Sequence, residues 1–474
     1  MKNSRLLFFT ITLVMILGAG TIPAQAVEPK IAAGGDHTVV LKKDGTLWSW
    51  GLNFRGQLGD GTYVDKNTPV QIGTDTDWTA VSAGSEHTTA LKADGTLWAW
   101  GYLLGDGQMV YQNVPLQIGT DTDWTAVSAG AYHNIALKAD KKLWVWGDNS
   151  YGELGDGTNV SQITPVPIRP GSTWTTVEAG GAHSLGVMEV DATLWAWGSN
   201  SDGQLGDYVV AESPCQIGID KTWSAVAGGQ YHTLAVQTGG ALWAWGSNSD
   251  GQLGNGDDTF LTPNYLPVKI GLDTTWTTVT AGKWHSLARK ADGTLWACGL
   301  NGYGQLGAGT DVLKSNVLVQ VAGTTWTAVE AGGYFTIGLK EDGTLWAWGD
   351  NTYGQLGDGT DGVDASKNTP VQIMNLSHDT LAVTKTGTGS GTVTSVHTGI
   401  DCGADCSEEY DYNTVVTLNA APVGDSIFLG WSGGNCAGTG ECVVTMDNNK
   451  TISASFQRPF YWPMFLPAIT KRTP

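Results

Sequence analysis

Ala93-Asp94-Gly95-Thr96-Leu97-Trp98-Ala99-Trp100-Gly101 is the stretch on which the fold turns. Asp-Gly is a strong two-residue hairpin signal, because both central residues of the favoured turn need φ > 0. The hairpin it predicts pairs residues 87–91 with 96–100. Upstream, residues 78–84 (W-T-A-V-S-A-G) read as another strand. Downstream of each W-x-W-G comes a glycine-rich loop, Gly56-Gln57-Leu58-Gly59 in the first copy, and then a P-V-Q-I strand such as 69–72. Four strands per unit is the content of a propeller blade.

W-x-W-G ends at Gly51, Gly101, Gly147, Gly198, Gly246 and Gly349, and Trp296-Ala297-Cys298-Gly299 is a variant copy. The Asp-Gly turn recurs at Asp44, Asp292 and Asp342, with Asp140-Lys141-Lys142 and Gly239-Gly240 as variants. A period near fifty in a turn-rich chain marks an array whose units bury their faces against one another. Along the strand, Trp98 and Trp100 point to one face, Leu97 and Ala99 to the other. Both faces are apolar and both need cover, which a closed ring supplies. The expected fold is all-β: a seven-bladed β-propeller over residues 27–375.

The flanks add further expectations. Lys2 and Arg5 precede an apolar run from Leu6 to Leu17, and Ala24-Gln25-Ala26 offers a small-residue cleavage site. This is the layout of a secretory signal peptide, residues 1–26. The run falls short of the roughly 20 residues that span a bilayer, so no membrane insertion is expected. Loss of Lys2 and Arg5 takes the formal charge from −20 to −22. So acidic a surface repels phosphate backbones, and nucleic acid is not an expected partner. The abundant glycines and regularly placed tryptophans point to tight turns between short strands rather than disorder. Cys215 and Cys298 are isolated, whereas Cys402, Cys406, Cys436 and Cys442 cluster. In an exported chain four clustered cysteines read as two disulfides, with three possible connectivities.

A-G-x-x-H-[ST], D-G-T-L-W-x-W-G and G-Q-L-G together resemble the regulator of chromosome condensation repeat, seven times over from Val27 to Asn375. Kelch propellers share the period but carry a Gly-Gly doublet with separated Tyr and Trp, which fits less well. In propellers of this family the loops before the repeat histidine form one rim and contact partners. At that position the blades read Asp36, Glu86, Tyr132, Ala182, Tyr231, Trp284 and Tyr334. The resemblance thus places four large aromatics on one arc and two carboxylates on another, and aromatic clusters are the stuff of interface hot spots. The family's nucleotide exchange on a small nuclear GTPase conflicts with the export signal and the charge. Some plant relatives sense ultraviolet light through Trp–Arg pairs at this rim, but here only Trp284 is a Trp and Arg is absent from the position. A secreted bacterial relative inhibits β-lactamases through the same rim.

His37, His87, His133, His183, His232 and His285 share one repeat position, where the seventh blade has Phe335. A metal site needs ligands converging on one point, and an active site needs one asymmetric constellation. Six equal copies around a ring supply neither, and an apolar ring replaces the seventh. These histidines are read as construction, tying each strand to neighbouring backbone. No catalytic residue, metal or cofactor is expected. Gly430-Trp431-Ser432-Gly433-Gly434 matches a hydrolase elbow, but Asn435-Cys436-Ala437-Gly438 cannot supply the helix that elbow requires. Asn248-Ser249-Asp250-Gly251 and Asn255-Gly256-Asp257-Asp258 fit calcium-loop spacing only loosely and read as turns.

From 376 to 457 the period stops and alternating β-rich runs begin. Residues 428–433 (F-L-G-W-S-G) and 442–446 (C-V-V-T-M) resemble the divergent internalin B-repeat, a small β module of bacterial surface and secreted proteins. Cys402–Cys406 and Cys436–Cys442 are the expected pairs, each close in sequence across a turn, and a small core gains from such staples. The tail, 458–474, is apolar and broken by Pro463 and Pro467. The expectation is therefore a secreted or cell-surface protein that binds a protein partner, possibly as an inhibitor, through Asp36, Glu86, Tyr132, Tyr231, Trp284 and Tyr334. The alternative is a glycan-binding adhesion protein in which Trp284 and its neighbours stack on sugar rings.

Overall fold

The computed structural model describes residues 28–209, 211–218, 222–257, 263–309, 312–376, 379–396, 399–403, 406–410, 414–446 and 450–459. The expected export segment and the tail from Phe460 onward lie outside them. Seven four-stranded antiparallel sheets follow one another along the chain, at 30–71, 78–117, 124–168, 174–217, 223–269, 276–320 and 326–375. Within each sheet the strand order is the chain order, so every blade is one unbroken piece of sequence.

The quoted stretch forms its hairpin in the register its turn dictates, with Leu91 opposite Leu97, Thr89 opposite Ala99 and His87 opposite Gly101. Gly95 takes φ +78°. The Asp94 carboxylate accepts from the Thr96 amide at 3.0 Å and from its hydroxyl at 2.7 Å, and the Thr96 oxygen accepts the Trp98 indole N–H at 2.8 Å. The same chain of bonds recurs at Asp44/Thr46/Trp48 and Asp342/Thr344/Trp346. D-G-T-x-W is thus one mechanical unit: the turn residue anchors the threonine, and the threonine aims the tryptophan.

Apolar clusters lie between blades rather than within them. Val39, Leu41, Leu47 and Ile72 of blade 1, for example, pack on Trp78, Ala90 and Trp100 of blade 2. Equivalent wedges fill the other six joints. At roughly 25 cal/mol per Å² of apolar surface, this interlayer burial is what holds the blades together.

The joint between blades 7 and 1 differs. In blades 2–7 the inner strand opens with a tryptophan (Trp78, Trp124, Trp174, Trp223, Trp276, Trp326), whereas blade 1 has Glu28 at that register. Leu376, just past the last strand of blade 7, takes the seat and is 1% exposed. Its amide donates to Gly343 O of the blade 7 hairpin, as Trp326 donates to Gly293 O and Trp276 to Gly240 O. Its carbonyl accepts from Lys43 of blade 1. Leu376, Phe335, Ile31, Val40 and Trp50 share one apolar cluster across the seam.

Residues 379–459 form a separate small β module. One sheet orders the strands Ser407–Tyr410, Asp379–Thr386, Lys450–Gln457 and Ile427–Ser432, with the middle two parallel; the other orders Gly391–Ser395, Thr414–Pro422 and Cys442–Met446. Their inner faces enclose Leu381, Val416, Trp431, Ile452 and Phe456. Disulfides join Cys402 to Cys406 and Cys436 to Cys442. Cys215 and Cys298 are free thiols.

Candidate functional site: the aromatic rim

One backbone arrangement carries all seven rim positions. The inner strand runs into a glycine, the chain turns over two residues of which the second is the rim residue, and the repeat histidine (Phe335 in blade 7) starts the next strand. A Cβ on Gly84 would sit 2.3 Å from the His87 ring, so the glycine is what lets the imidazole close over the turn. The carbonyl of every rim residue accepts from the residue after W-x-W-G: Asp36 from Leu52, Glu86 from Tyr102, Tyr132 from Asp148, Ala182 from Ser199, Tyr231 from Ser247, Trp284 from Leu300 and Tyr334 from Asp350. With backbone fixed seven times alike, only the rim side chains vary.

The histidines beneath are buried and serve the joints. His37 Nε2 lies 2.9 Å from Thr88 Oγ1, and His133, His183, His232 and His285 lie 2.8–3.1 Å from Ser184, Thr233, Ser286 and Thr336 on the next blade. His87 meets Asn134 Oδ1 at 2.9 Å. Each hydroxyl donates its own hydrogen to a loop carbonyl of the blade before it, as Thr88 does to Gln57 O at 2.9 Å. The histidine must therefore be the donor, which fixes the Nε2–H tautomer. The partner is a side chain, not the neighbouring backbone expected from sequence, because strand amides and carbonyls are already committed to their ladders. Burial pushes these imidazoles down to about 3, and His87 to about 4. Phe335 makes no such bond, and Thr38 Oγ1 on the far side of that joint donates to Gln355 O at 2.8 Å.

The rim aromatics do not form the single arc expected. Tyr231 and Trp284 are in ring contact, with centroids 5.0 Å apart. The Trp284 indole N–H donates to the Tyr334 hydroxyl at 3.2 Å, and Tyr334 packs on Tyr303 at 5.5 Å. These four rings make an unbroken string over blades 5, 6 and 7. Tyr132 is left out, because Ala182 on blade 4 breaks the sequence of large side chains. It stands instead beside Glu86, whose carboxylate, after burial, helps push the Tyr132 phenol up. There the structure adds a residue the rim position did not reveal. Arg55, from the loop after the first W-x-W-G, pairs with Glu86 at 3.3 Å and lies over the rings of Phe54, Tyr102 and Tyr111 at 4.5–5.6 Å. Asp36 adjoins the aromatic string: burial pushes its carboxyl up, with Lys283 opposing and Asp350 reinforcing. The Lys283 ammonium sits 5.3 Å from the Tyr334 ring.

Inside the rim, the inner strands of all seven blades line an axial channel, a space of about 290 Å³ that reaches the turns before the rim residues. One register of its wall reads Ala32, Ser82, Ser128, Glu178, Ala227, Thr280 and Glu330 around the ring. Burial pushes Glu178 up to about 7, against a hydrogen bond from Ser128; burial and then the Glu178 carboxylate push Glu330 up to about 8, against a bond from Thr280. Among the described residues, no three His, Cys, Asp or Glu converge as metal ligands. The Asn248 loop is closed by its own buried amide, which accepts from Leu253 N at 3.1 Å and donates to Asn255 and to Asp257 O. Asp258 lies outside the described residues.

A sevenfold frame with one variable side chain per blade defines a class: a β-propeller scaffold of the protein-interaction kind. The chain belongs to the RCC1-like family. The RCC1-like domain matches residues 19–277, and the regulator of chromosome condensation (RCC1) repeat matches 276–305, 326–355, 292–339 and 342–396. A divergent InlB B-repeat domain matches 381–459. Among solved structures the chain is similar to human WBSCR16, with a TM-score of 0.63, 21% identity and coverage of 71% of this chain and 96% of that one. It is likewise similar to Saccharomyces cerevisiae Prp20p, a structure described with its binding properties to Gsp1p and histones. There the TM-score is 0.59 and identity 22%, covering 65% of this chain and 82% of that one. The ultraviolet-B receptor UVR8 of Arabidopsis thaliana is 44% identical over 43 residues, so the match spans 10% of that relative's length.

Proposed function

We propose that this protein is a secreted or cell-surface propeller that binds a protein partner through its rim, performs no catalysis, and can block the partner it covers. The observation that carries the reading is the string Tyr231–Trp284–Tyr334–Tyr303. Rings held against one another lose little entropy on binding and offer a large contact area, which is what interface anchors need. The binding of Gsp1p and histones by Prp20p supports a protein as the class of partner. The acidic rim residues Asp36 and Asp148, with the strongly acidic composition of the chain, favour one with basic surface.

The test is affinity capture from the secreted and envelope proteins of the producing cells. Wild type is compared with Tyr231→Ala/Trp284→Ala/Tyr334→Ala, after both are shown to melt alike. A partner retained by wild type and lost by the variant supports the reading. Equal retention by both sinks it.

A further inference from the structure

Glu178 and Glu330 have no counterpart in the other five blades, where the same register carries Ala32, Ser82, Ser128, Ala227 and Thr280. They stand on blades 4 and 7, about half a turn of the ring apart. Each is gripped by the blade before it: Ser128 Oγ donates to Glu178 Oε2 and Thr280 Oγ1 to Glu330 Oε2, both at 3.2 Å. Those hydroxyls are themselves fixed, accepting from the amides of Ala179 at 3.0 Å and Ala331 at 3.1 Å. One oxygen of each carboxyl is thereby held, and Oε1 is left to the channel. Lys283 is the other charged side chain on the channel wall; it lies at the mouth, against Tyr334.

The mouth and the aromatic string share a face. Gln230, Lys283 and Gly333 line the channel, and the next residue of each strand is Tyr231, Trp284 or Tyr334. A partner seated on the rings therefore covers the mouth. The space beneath takes an extended side chain, but not a helix, which is about 10–12 Å across. Its wall offers two acceptor carboxyls against one cation, Lys283 at the mouth over the Tyr334 ring, with aromatic faces at the entrance that favour a cation.

We propose that the partner presents a lysine or arginine on a turn, and that this side chain enters the channel between Glu178 and Glu330 while its neighbours pack on Tyr231, Trp284, Tyr334 and Tyr303. This rests on the rim reading and specifies the chemistry of what the rim receives. It carries a proton linkage. The groups facing the two carboxyls are Ser128, Thr280 and each other, with Lys283 at the mouth. At pH 6 the free protein holds both carboxyls mainly protonated, and a cation between them favours the ionised forms. Binding then releases protons and tightens as pH rises from 6 to 8.

A library of disulfide-cyclised peptides displayed on phage, selected on the full chain at pH 8, supplies the probe. The expected peptides carry Lys or Arg at the turn beside apolar residues. The selected peptide should bind about tenfold or more weakly to E178Q/E330Q, and its pH dependence should vanish there. Gln at both positions matches the neutral carboxyls, and a melt against wild type checks the fold. Peptides without a basic residue, or equal binding to E178Q/E330Q, overturn the cationic occupant. So does retention on neutral polysaccharide, or a concentration-dependent dimer, that is lost in Trp284→Ala and kept in E178Q/E330Q. The rim reading fails separately, when Tyr231→Ala/Trp284→Ala leaves the peptide bound as before.

Discussion

Leu376→Ala is expected to open one joint of the ring and leave six closed. The side chain is fully enclosed by Ile31, Val40, Trp50 and Phe335 at the seam. Truncating such a leucine costs about 2.7–5 kcal/mol, depending on how far the site collapses. The seam has less in reserve than its neighbours, because Phe335 replaces the histidine bond that contributes about 0.5–1.5 kcal/mol at other joints. A loss of about 3 kcal/mol corresponds to about a hundredfold in an opening equilibrium. Hydrogen exchange followed by mass spectrometry reads this directly. Amides of Lys30–Ala33, His37–Leu41 and Phe335–Lys340 should exchange about a hundredfold faster, while Trp174–Ala179 and Trp223–Gly228, far round the ring, change little. Urea unfolding should show the matching fall in midpoint. Exchange that is unchanged at the seam, or accelerated equally in every blade, would refute the assignment of Leu376 as the residue that closes the ring.

The titratable groups of the histidine joints and the channel predict a stability maximum at about pH 7. The six histidines titrate at about 3–4 folded against about 6.5 unfolded, so the unfolded chain binds the extra protons. Stability therefore falls as pH drops below about 6.5, by up to about 1.4 kcal/mol per histidine per pH unit. Glu178 and Glu330, raised to about 7 and about 8, act oppositely: the folded state holds their protons, and stability declines as pH rises from about 4.5 through 8. Melts across pH 4–9 should show the maximum, with E178Q/E330Q flattening the alkaline limb; a monotonic profile contradicts this. Lys138 lies 4.8 Å from Trp124 and 4.6 Å from Trp144, paired with Asp121 and Asp123, so Lys138→Ala should cost about 1–2 kcal/mol, more than a lone exposed lysine. A change within about 0.5 kcal/mol would show the clamp to be idle. Reduction should destabilise the C-terminal module by about 2 kcal/mol per bridge and leave the propeller transition in place, since both disulfides lie in the module. Calorimetry with and without reductant separates the two transitions.

The blades were legible because each repeats a local code whose parts answer one another: Asp94 and Gly95 make the turn, Thr96 bridges it, and Trp98 follows. What the repeat did not disclose lies where the chain leaves it. Leu376 belongs to no motif, and its role exists only because blade 1 lacks the tryptophan the other blades have. The position before the repeat histidine varies from blade to blade in the sequence, but the grouping of its side chains depended on contacts between blades. Ala182 separates Tyr132 from Tyr231, and Arg55 arrives from another loop to neutralise Glu86. Glu178 and Glu330 looked like ordinary strand residues, since alternation alone does not say which face of an inner strand meets an axial channel.

The seam also sets an order of events. Six joints form between segments adjacent in the chain, and each carries a histidine bond, to a hydroxyl in five of them and to the Asn134 amide oxygen in the sixth. The seventh joins segments more than three hundred residues apart: Phe335 and Leu376 pack on blade 1 where the histidine bond is missing, while Thr38 and Trp50 still donate to Gln355 O. Until residue 376 has left the ribosome, blade 1 keeps an uncovered edge and the molecule is a crescent. In place of the histidine bond, the apolar contacts of Phe335 and Leu376 tolerate approach from more angles, which suits a joint whose two ends meet last. Chaperones that shield apolar surface would find that edge the last to disappear.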